Sequence, residues 1–520
     1  MTGARETTSR TRQTGRTTMP RARLFVMAAA LTALLAGAAQ AKTLRIGLAE
    51  DPDLLDPAVA RTFVGRIVFA SLCDKLFDIT PDLKIVPQLA ASYQWAPDNK
   101  SVTIKLRQGV LFQDGTPLNA EAVKFNIERD LNLKGSNRKS EISAVKGVEV
   151  IDDQTVKLDL SSPFSPLLAA LTDRAGMMVS PKAAKAEGEN FAAHPVCAGP
   201  YKFVERVAQD HITVEKFDKY WNKGHIFIDR IEYRTIVDAA VRVANLQAGS
   251  LDFMERLQPS DVAAVRNNPN LEVASIPEIG YIGITANIGN GARAASIFGK
   301  DPRVRQALSL AIDRKALVQA VYNGEYLPGD QPFSPVSPWF DKNFPVPGPD
   351  IAKAKQLLKE AGHSNPTIEL MVPTTSDDQQ VAQVIQAMAQ QAGITIKIKA
   401  VEFATSLDRE QQGDFEAYQI GWSGRVDPDG NLYTFLACKG NLNYGRYCNP
   451  EVDKLLDQAR ETSDTAARKK LYDEVDAIAQ RDLPIIYLYN RKWIYGYTKK
   501  LTGFKPYPDG LVRVVDLKLQ

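Results

Sequence analysis

Between Tyr418 and Asn431 the chain reads YQIGWSGRVDPDGN, which sets an indole (Trp422), a guanidinium (Arg425) and a carboxylate (Asp427) close together. A planar guanidinium matches the oxygens of a carboxylate or phosphate, a carboxylate can take an amine, and an indole can pave an apolar wall. Together they could grip a charged solute without altering it. The apolar run through Tyr418, Ile420 and Trp422 predicts a strand that stops at Gly424, a residue free to adopt backbone angles others avoid. Asp427-Pro428-Asp429-Gly430 then carries the chemistry of a type I turn. Arg425 and Asp427 are therefore expected on a loop held by a strand below and a turn above, the usual mounting of binding groups. The plain alternatives are that Arg425 and Asp427 pair with each other in solvent and that Trp422 fills core.

Signals of catalysis are weak by comparison. The four histidines are His194, His211, His225 and His363; none stands four residues from another, and there is no HExxH, so a histidine-built metal site is not expected. Gly421-Trp422-Ser423-Gly424 runs into Arg425 where a nucleophile elbow needs glycine. Gly299-Lys300 is followed by Asp301 rather than Ser or Thr, so it is no phosphate loop. No carboxylate pair is singled out. A non-enzymatic protein without a cofactor is the expectation, and a secreted hydrolase on an α/β scaffold is the reading from another class.

A chain of 520 residues exceeds what one hydrophobic core supports, so two or three domains are expected. Residues 1–41 look like a secretory leader: Arg21 and Arg23 precede the apolar run Leu24 to Ala36, and Ala39-Gln40-Ala41 is a cleavage site before Lys42. Met19 would begin a leader of more usual length than Met1. The leader holds six arginines against Glu6; without it 58 basic residues face 60 acidic ones, so the formal charge of +3 gives way to −2. Nothing in that balance attracts nucleic acid. Four cysteines remain in the exported part. Cys438 and Cys448 are spaced for a local staple, which leaves Cys73 with Cys197; four cysteines allow three connectivities, and buried free thiols are the alternative.

The elements that must position the loop follow from periodicity. TLRIGL (43–48) alternates as a strand, Phe63 to Phe77 reads as a helix, VTIKL (102–106) and the hairpin VEVIDDQTVKLDL (148–160) are strands, and Asn119 caps a helix striped by Val123, Ile127 and Leu131. Strands return from 199 to 252. The Gly/Ala-rich stretch 286–300 suits a crossing between domains. After it, helices opened by Asp301-Pro302 and Asp350, a helix ending at Gly393 and the strand ITIKIKAV (394–401) follow the grammar of an α/β layer.

The run LKIVPQLAASYQWAPDNKSVTIKLRQGVLFQDGTPLNAEAVKFNIER (83–129) resembles the signature of the family 5 extracellular solute-binding proteins, the peptide- and nickel-binding subunits of ABC importers. So do AGPYKF with KYWNKG (198–224), DPRVRQALSLAIDRKAL (301–317), AKQLLKEAG (354–362) and DKLLDQA with YDEVDAIAQRDLPIIYL (453–488). The resemblance implies an α/β fold of the type II periplasmic binding protein kind, with two hinged lobes and three domains. Domain I would comprise 42–75, 195–285 and 485–520, domain II 76–194 and domain III 286–484. It implies a monomeric periplasmic protein that closes on a small-molecule or peptide ligand and meets membrane permease subunits.

In dipeptide-binding relatives an acidic side chain three places after the tryptophan grips the ligand ammonium; here that place is Arg425. The reversed charge points to an acid group on the ligand, with Asp427 orienting Arg425 or taking an amine. Trp422, Tyr281 and Asn287 complete the expected binding set. Within the binding class, a metal-chelate or haem binder is the other possibility.

Overall fold

The computed structural model describes residues 42–520 and, ahead of them, Gly15 alone. The expected leader and its cleavage after Ala41 lie outside the described residues. Alternation decides the first strand: in Thr43–Leu48 the side chains of Leu44, Ile46 and Leu48 are buried, and the strand sits inside a seven-stranded sheet. It runs parallel to Arg230–Thr235 on one side and to Phe253–Met254 on the other. The sheet continues through His211–Lys216 to the edge strand Tyr201–Val207, and through Lys492–Thr498 to the edge strand Leu271–Pro277.

The segment between Cys73 and Cys197 forms a layer of its own. Ala90–Trp95, Ser101–Leu106, Thr155–Leu160 and Val145–Asp152 make a four-stranded antiparallel sheet in that order, against which the helix Ala120–Asn132 packs. Asn119 caps that helix by accepting from the amide of Ala122 at 3.0 Å, and Val123 and Ile127 are buried in the layer's core. Both expected disulfides form. Cys73–Cys197 ties the point where the chain leaves the seven-stranded sheet to the point where it returns, and Cys438–Cys448 staples a short loop.

The α/β half is a six-stranded sheet ordered Leu327–Pro328, Ile485–Asn490, Tyr281–Ala286, Ala417–Trp422, Thr367–Pro373 and Thr395–Val401. Its last two strands are parallel and are joined by the helix Ser376–Gln391, capped by Thr375, because parallel neighbours need a crossover of this length. Val381, Ala382, Ile385 and Ala389 form its buried face. The whole is a mixed α/β architecture, as the sequence implied.

Three local expectations shift. The helix from Phe63 ends at Leu72, where Cys73 turns extended, and Phe77–Ile79 is instead a strand paired with Ile85–Pro87. The stretch 286–300 folds as short helical turns, Ala292–Ala295 and Ile297–Lys300, rather than as a crossing. The chain passes between the two large sheets at 277–281 and again at 490–492, because Tyr281–Ala286 and Ile485–Asn490 pair with each other in the six-stranded sheet. The expected breaks after 285 and before 485 stand a few residues away from these passages. No helix among the described residues is long and apolar enough to cross a membrane.

Candidate functional site

Trp422 ends its strand as expected, and Gly424 turns the chain at a φ of +76°. A Cβ on Gly424 would strike the Ile279 carbonyl, and one on Gly280 would strike that of Trp422, so the loop lies backbone to backbone on the 277–281 passage. Asn431 fastens the loop from the other side. Its Oδ1 accepts from Trp422 Nε1 at 2.9 Å and from the Arg425 amide at 2.8 Å, while its Nδ2 donates to the Arg425 carbonyl at 2.9 Å. The sequence reading did not single out Asn431; an Asn just past an Asp-Pro-Asp-Gly turn, able to bond backbone both ways, was the available signal. The turn itself forms, with Gly430 N donating to Asp427 O at 3.2 Å, but it runs on into the helix Asp429–Leu436.

Arg425 and Asp427 do not pair with each other. Arg425 Nε lies 2.6 Å from Asp173 Oδ2, its Nη1 donates to the Gly424 carbonyl at 2.7 Å, and its guanidinium sits 4.3 Å from the Trp422 ring centroid. Asp427 instead accepts two hydrogen bonds from Arg468, each of 2.8 Å. Asp173 belongs to the layer between Cys73 and Cys197, so the Arg425–Asp173 pair bridges that layer and the loop after the α/β strand Ala417–Trp422. Arg66 extends the bridge by donating to Asp173 Oδ1 at 3.0 Å and to Ser423 Oγ at 3.1 Å. Burial alone would raise the Asp173 carboxyl, but Arg425 and Arg66 outweigh it and hold the group well below the usual carboxylate range. Burial pushes the Arg425 guanidinium down to about 10 against the pull of Asp173.

Trp422 is a wall between two cavities. The larger, of about 140 Å³, is lined by Glu50, Arg61, Phe63 and Arg256 from the seven-stranded side, by Tyr281, Phe403, Glu410 and Trp422 from the α/β side, and by Arg491 at the 490–492 passage. At about 10–15 Å³ of such space per water, it holds on the order of ten waters, or roughly 300 Å³ of liquid, the lower end of small-ligand sites. The smaller, of about 30 Å³, is lined by Arg425, Asp427 and Asp173 among others. Of the expected binding residues, Trp422 and Tyr281 reach the larger cavity and Arg425 and Asp427 the smaller. Asn287 lines neither: it is buried, and its Nδ2 donates to the carbonyls of Asn290, Gly413 and Phe415, holding loops together.

The charges of the larger cavity divide into two kinds. Arg256 lies 2.6 Å from Glu50, Arg491 lies 3.2 Å from Glu278, and Arg61 lies 2.7 Å from Asp408, so each cation has a carboxylate. Asp378 has only neutral donors, Thr375 Oγ1 at 2.5 Å and Gln419 Nε2 at 3.2 Å, and the Glu410 carboxyl has no hydrogen-bond or ion-pair partner among the described residues. Burial pushes Asp378 up to about 6 and Glu410 up to about 8. Arg61, Arg256 and Arg491 beside Glu50, Asp378 and Glu410 thus give the lining of this cavity charges of both signs.

The family described as bacterial extracellular solute-binding proteins, family 5 middle, matches residues 84–443. The glutathione-binding protein GsiB of Pectobacterium atrosepticum is 32% identical over 512 residues, covering 96% of this chain and 98% of that protein. Among solved structures, the binding protein AgaA from A. tumefaciens R10, in complex with agropinic acid, gives a TM-score of 0.83 at 29% identity over 92% of this chain and 99% of that one. The periplasmic binding protein DppA of Helicobacter pylori, in complex with the peptide STSA, gives 0.84 at 25% identity over 92% and 98%.

Proposed function

The chain belongs to the family 5 bacterial extracellular solute-binding proteins, and on that premise we propose that it captures an acid-bearing peptide or peptide-like solute, of the size of glutathione, and delivers it to an ABC importer. It is a binding protein rather than an enzyme. The observation that carries the reading is the larger cavity: its walls come from both sides of the 277–281 and 490–492 passages, where a hinged pair of lobes would hold a solute.

Closure about those passages removes the solute from water, which strengthens every charged hydrogen bond to it. Only a solute that binds the closed arrangement better than the open one drives the change. Trp422 and Tyr281 wall the solute, and its acid groups meet Arg256. Arg425 holds the closed arrangement through Asp173; its Nη2, buried without a partner, is also open to an acid group entering the smaller cavity. Domain I (42–75, 195–285, 485–520), domain II (76–194) and domain III (286–484) are the bodies this closure moves, with export to the periplasm, a monomeric state and docking to permease subunits as the setting.

The names of the relatives support the ligand class. Glutathione, agropinic acid and a short peptide all carry carboxylates, and each is said of that protein alone. Mass spectrometry of the solute released from protein purified out of the periplasm tests the reading. One intact acid-bearing solute per chain is expected; cleavage products, or a solute without acid groups, refute it.

A further inference from the structure

The helix Phe403–Gln412 presents Phe403, Leu407 and Glu410 to the larger cavity, the i, i+4, i+7 spacing of one helix face. Two of the three are apolar, as a packed face requires. The third is a carboxyl that is 5% exposed, lines the cavity and has neither a hydrogen-bond nor an ion-pair partner among the described residues. A carboxylate buried in this way is costly unless something neutralises it. The cation whose charge acts on it, Arg61, spends its hydrogen bonds on Asp408 at 2.7 Å and on Gln411 Oε1 at 3.3 Å. The groups around Glu410 are phenols: burial first, and the charge of Glu410 second, raise the hydroxyls of Tyr281, Tyr418 and Tyr444. Tyr281 and Tyr444 line the same cavity. A carboxylate with aromatic rings beside it and no cation of its own is a receptor for a cation.

We propose that Glu410 receives a primary ammonium of the bound solute, with Tyr281 and Tyr444 beside it, so that the solute supplies the counter-charge the Glu410 carboxyl lacks. This rests on the solute-binding reading above and adds to it a requirement for an amine. With a solute bearing acids alone, Glu410 keeps its proton and makes no charged bond to the solute.

The test is calorimetric titration of wild-type protein and Glu410→Gln with glutathione and with glutaryl-Cys-Gly, the same molecule with hydrogen in place of its amine. Wild type is expected to bind glutathione about 10- to 100-fold more tightly than the amine-free compound, the range of one charged hydrogen bond. Glu410→Gln is expected to lose that preference. Equal binding of the two compounds by wild type, or an unchanged preference in Glu410→Gln, overturns the assignment while leaving solute binding intact. Failure of wild type to bind either compound overturns the peptide-like reading and the assignment together. If Glu410→Gln does not fold, the two-compound comparison on wild type decides alone.

Discussion

Glu278 and Arg491 face each other at the two places where the chain passes between its large sheets. The Arg491 amide donates to Glu278 Oε1 at 2.8 Å, the guanidinium Nε lies 3.2 Å from Oε2, and the Glu278 amide donates back to the Arg491 carbonyl at 3.1 Å. Beside them Asn490 Nδ2 donates to the Gly280 carbonyl at 2.7 Å. The two passages are thus one two-stranded joint, clamped by an ion pair of which Glu278 is fully buried.

Glu278→Gln leaves Arg491, whose side chain is 19% exposed, without its counter-charge, which costs up to about 3–5 kcal/mol, the figure for a buried pair broken from one side. Urea unfolding of the variant is expected to show a loss in that range. A loss below about 1 kcal/mol would mean that the joint does not depend on the pair.

Arg425 and Asp173 tie the loop after the strand Ala417–Trp422 to the layer between Cys73 and Cys197, from the opposite side of Trp422. Arg425→Glu sets two carboxylates against each other, so the affinity for solute is expected to fall by about 100-fold or more, and Asp173→Lys in the same chain should restore part of it. Strictly additive effects in the four-member cycle contradict a bridge between these two residues.

Glu410 gives the unliganded protein a pH dependence of known sign. Burial holds its carboxyl at about 8, above the 4.5 of an exposed glutamate, with Arg61 opposing and Tyr281, Tyr418 and Tyr444 around it. A group raised on folding contributes stability that is full below about 4.5 and is lost as pH rises through about 8. Glu410→Gln, which cannot ionise, is therefore expected to melt higher than wild type at pH 8.5 and level with it near pH 4.5. A difference that is the same at both values contradicts the buried, unpaired carboxyl.

The two disulfides close loops of very different length, with sequence separations of 124 for Cys73–Cys197 and 10 for Cys438–Cys448. On the chain-entropy account their removal costs about 5 and about 3 kcal/mol respectively. Paired Cys→Ser variants compared by urea unfolding check the order; a larger loss from the Cys438–Cys448 pair reverses it.

Much of the fold was legible because local signals agreed with one another. Asn119, Asp301 and Asp350 each cap the helix they were expected to open, and Leu44, Ile46 and Leu48 alternate inward as read. Trp422 and Gly424 likewise end and turn the strand where their chemistry says. The site was legible only in part, because its charges are settled by partners far away in the sequence. Arg425 finds Asp173 and Asp427 finds Arg468, and no spacing within the loop reveals either. Glu410 looked like one more acid in a polar helix. Its meaning comes from the cavity that Tyr281, Tyr444 and Arg61 build around it, from segments more than a hundred residues apart.

The central claim is that this chain traps a peptide-like solute between its halves and returns it unaltered. Calorimetric titration of the mature chain with glutathione, followed by mass analysis of the recovered solute, tests it most directly. The account predicts one molecule bound per chain and recovered at its starting mass. No binding of glutathione, or recovery of cleaved products, would contradict it.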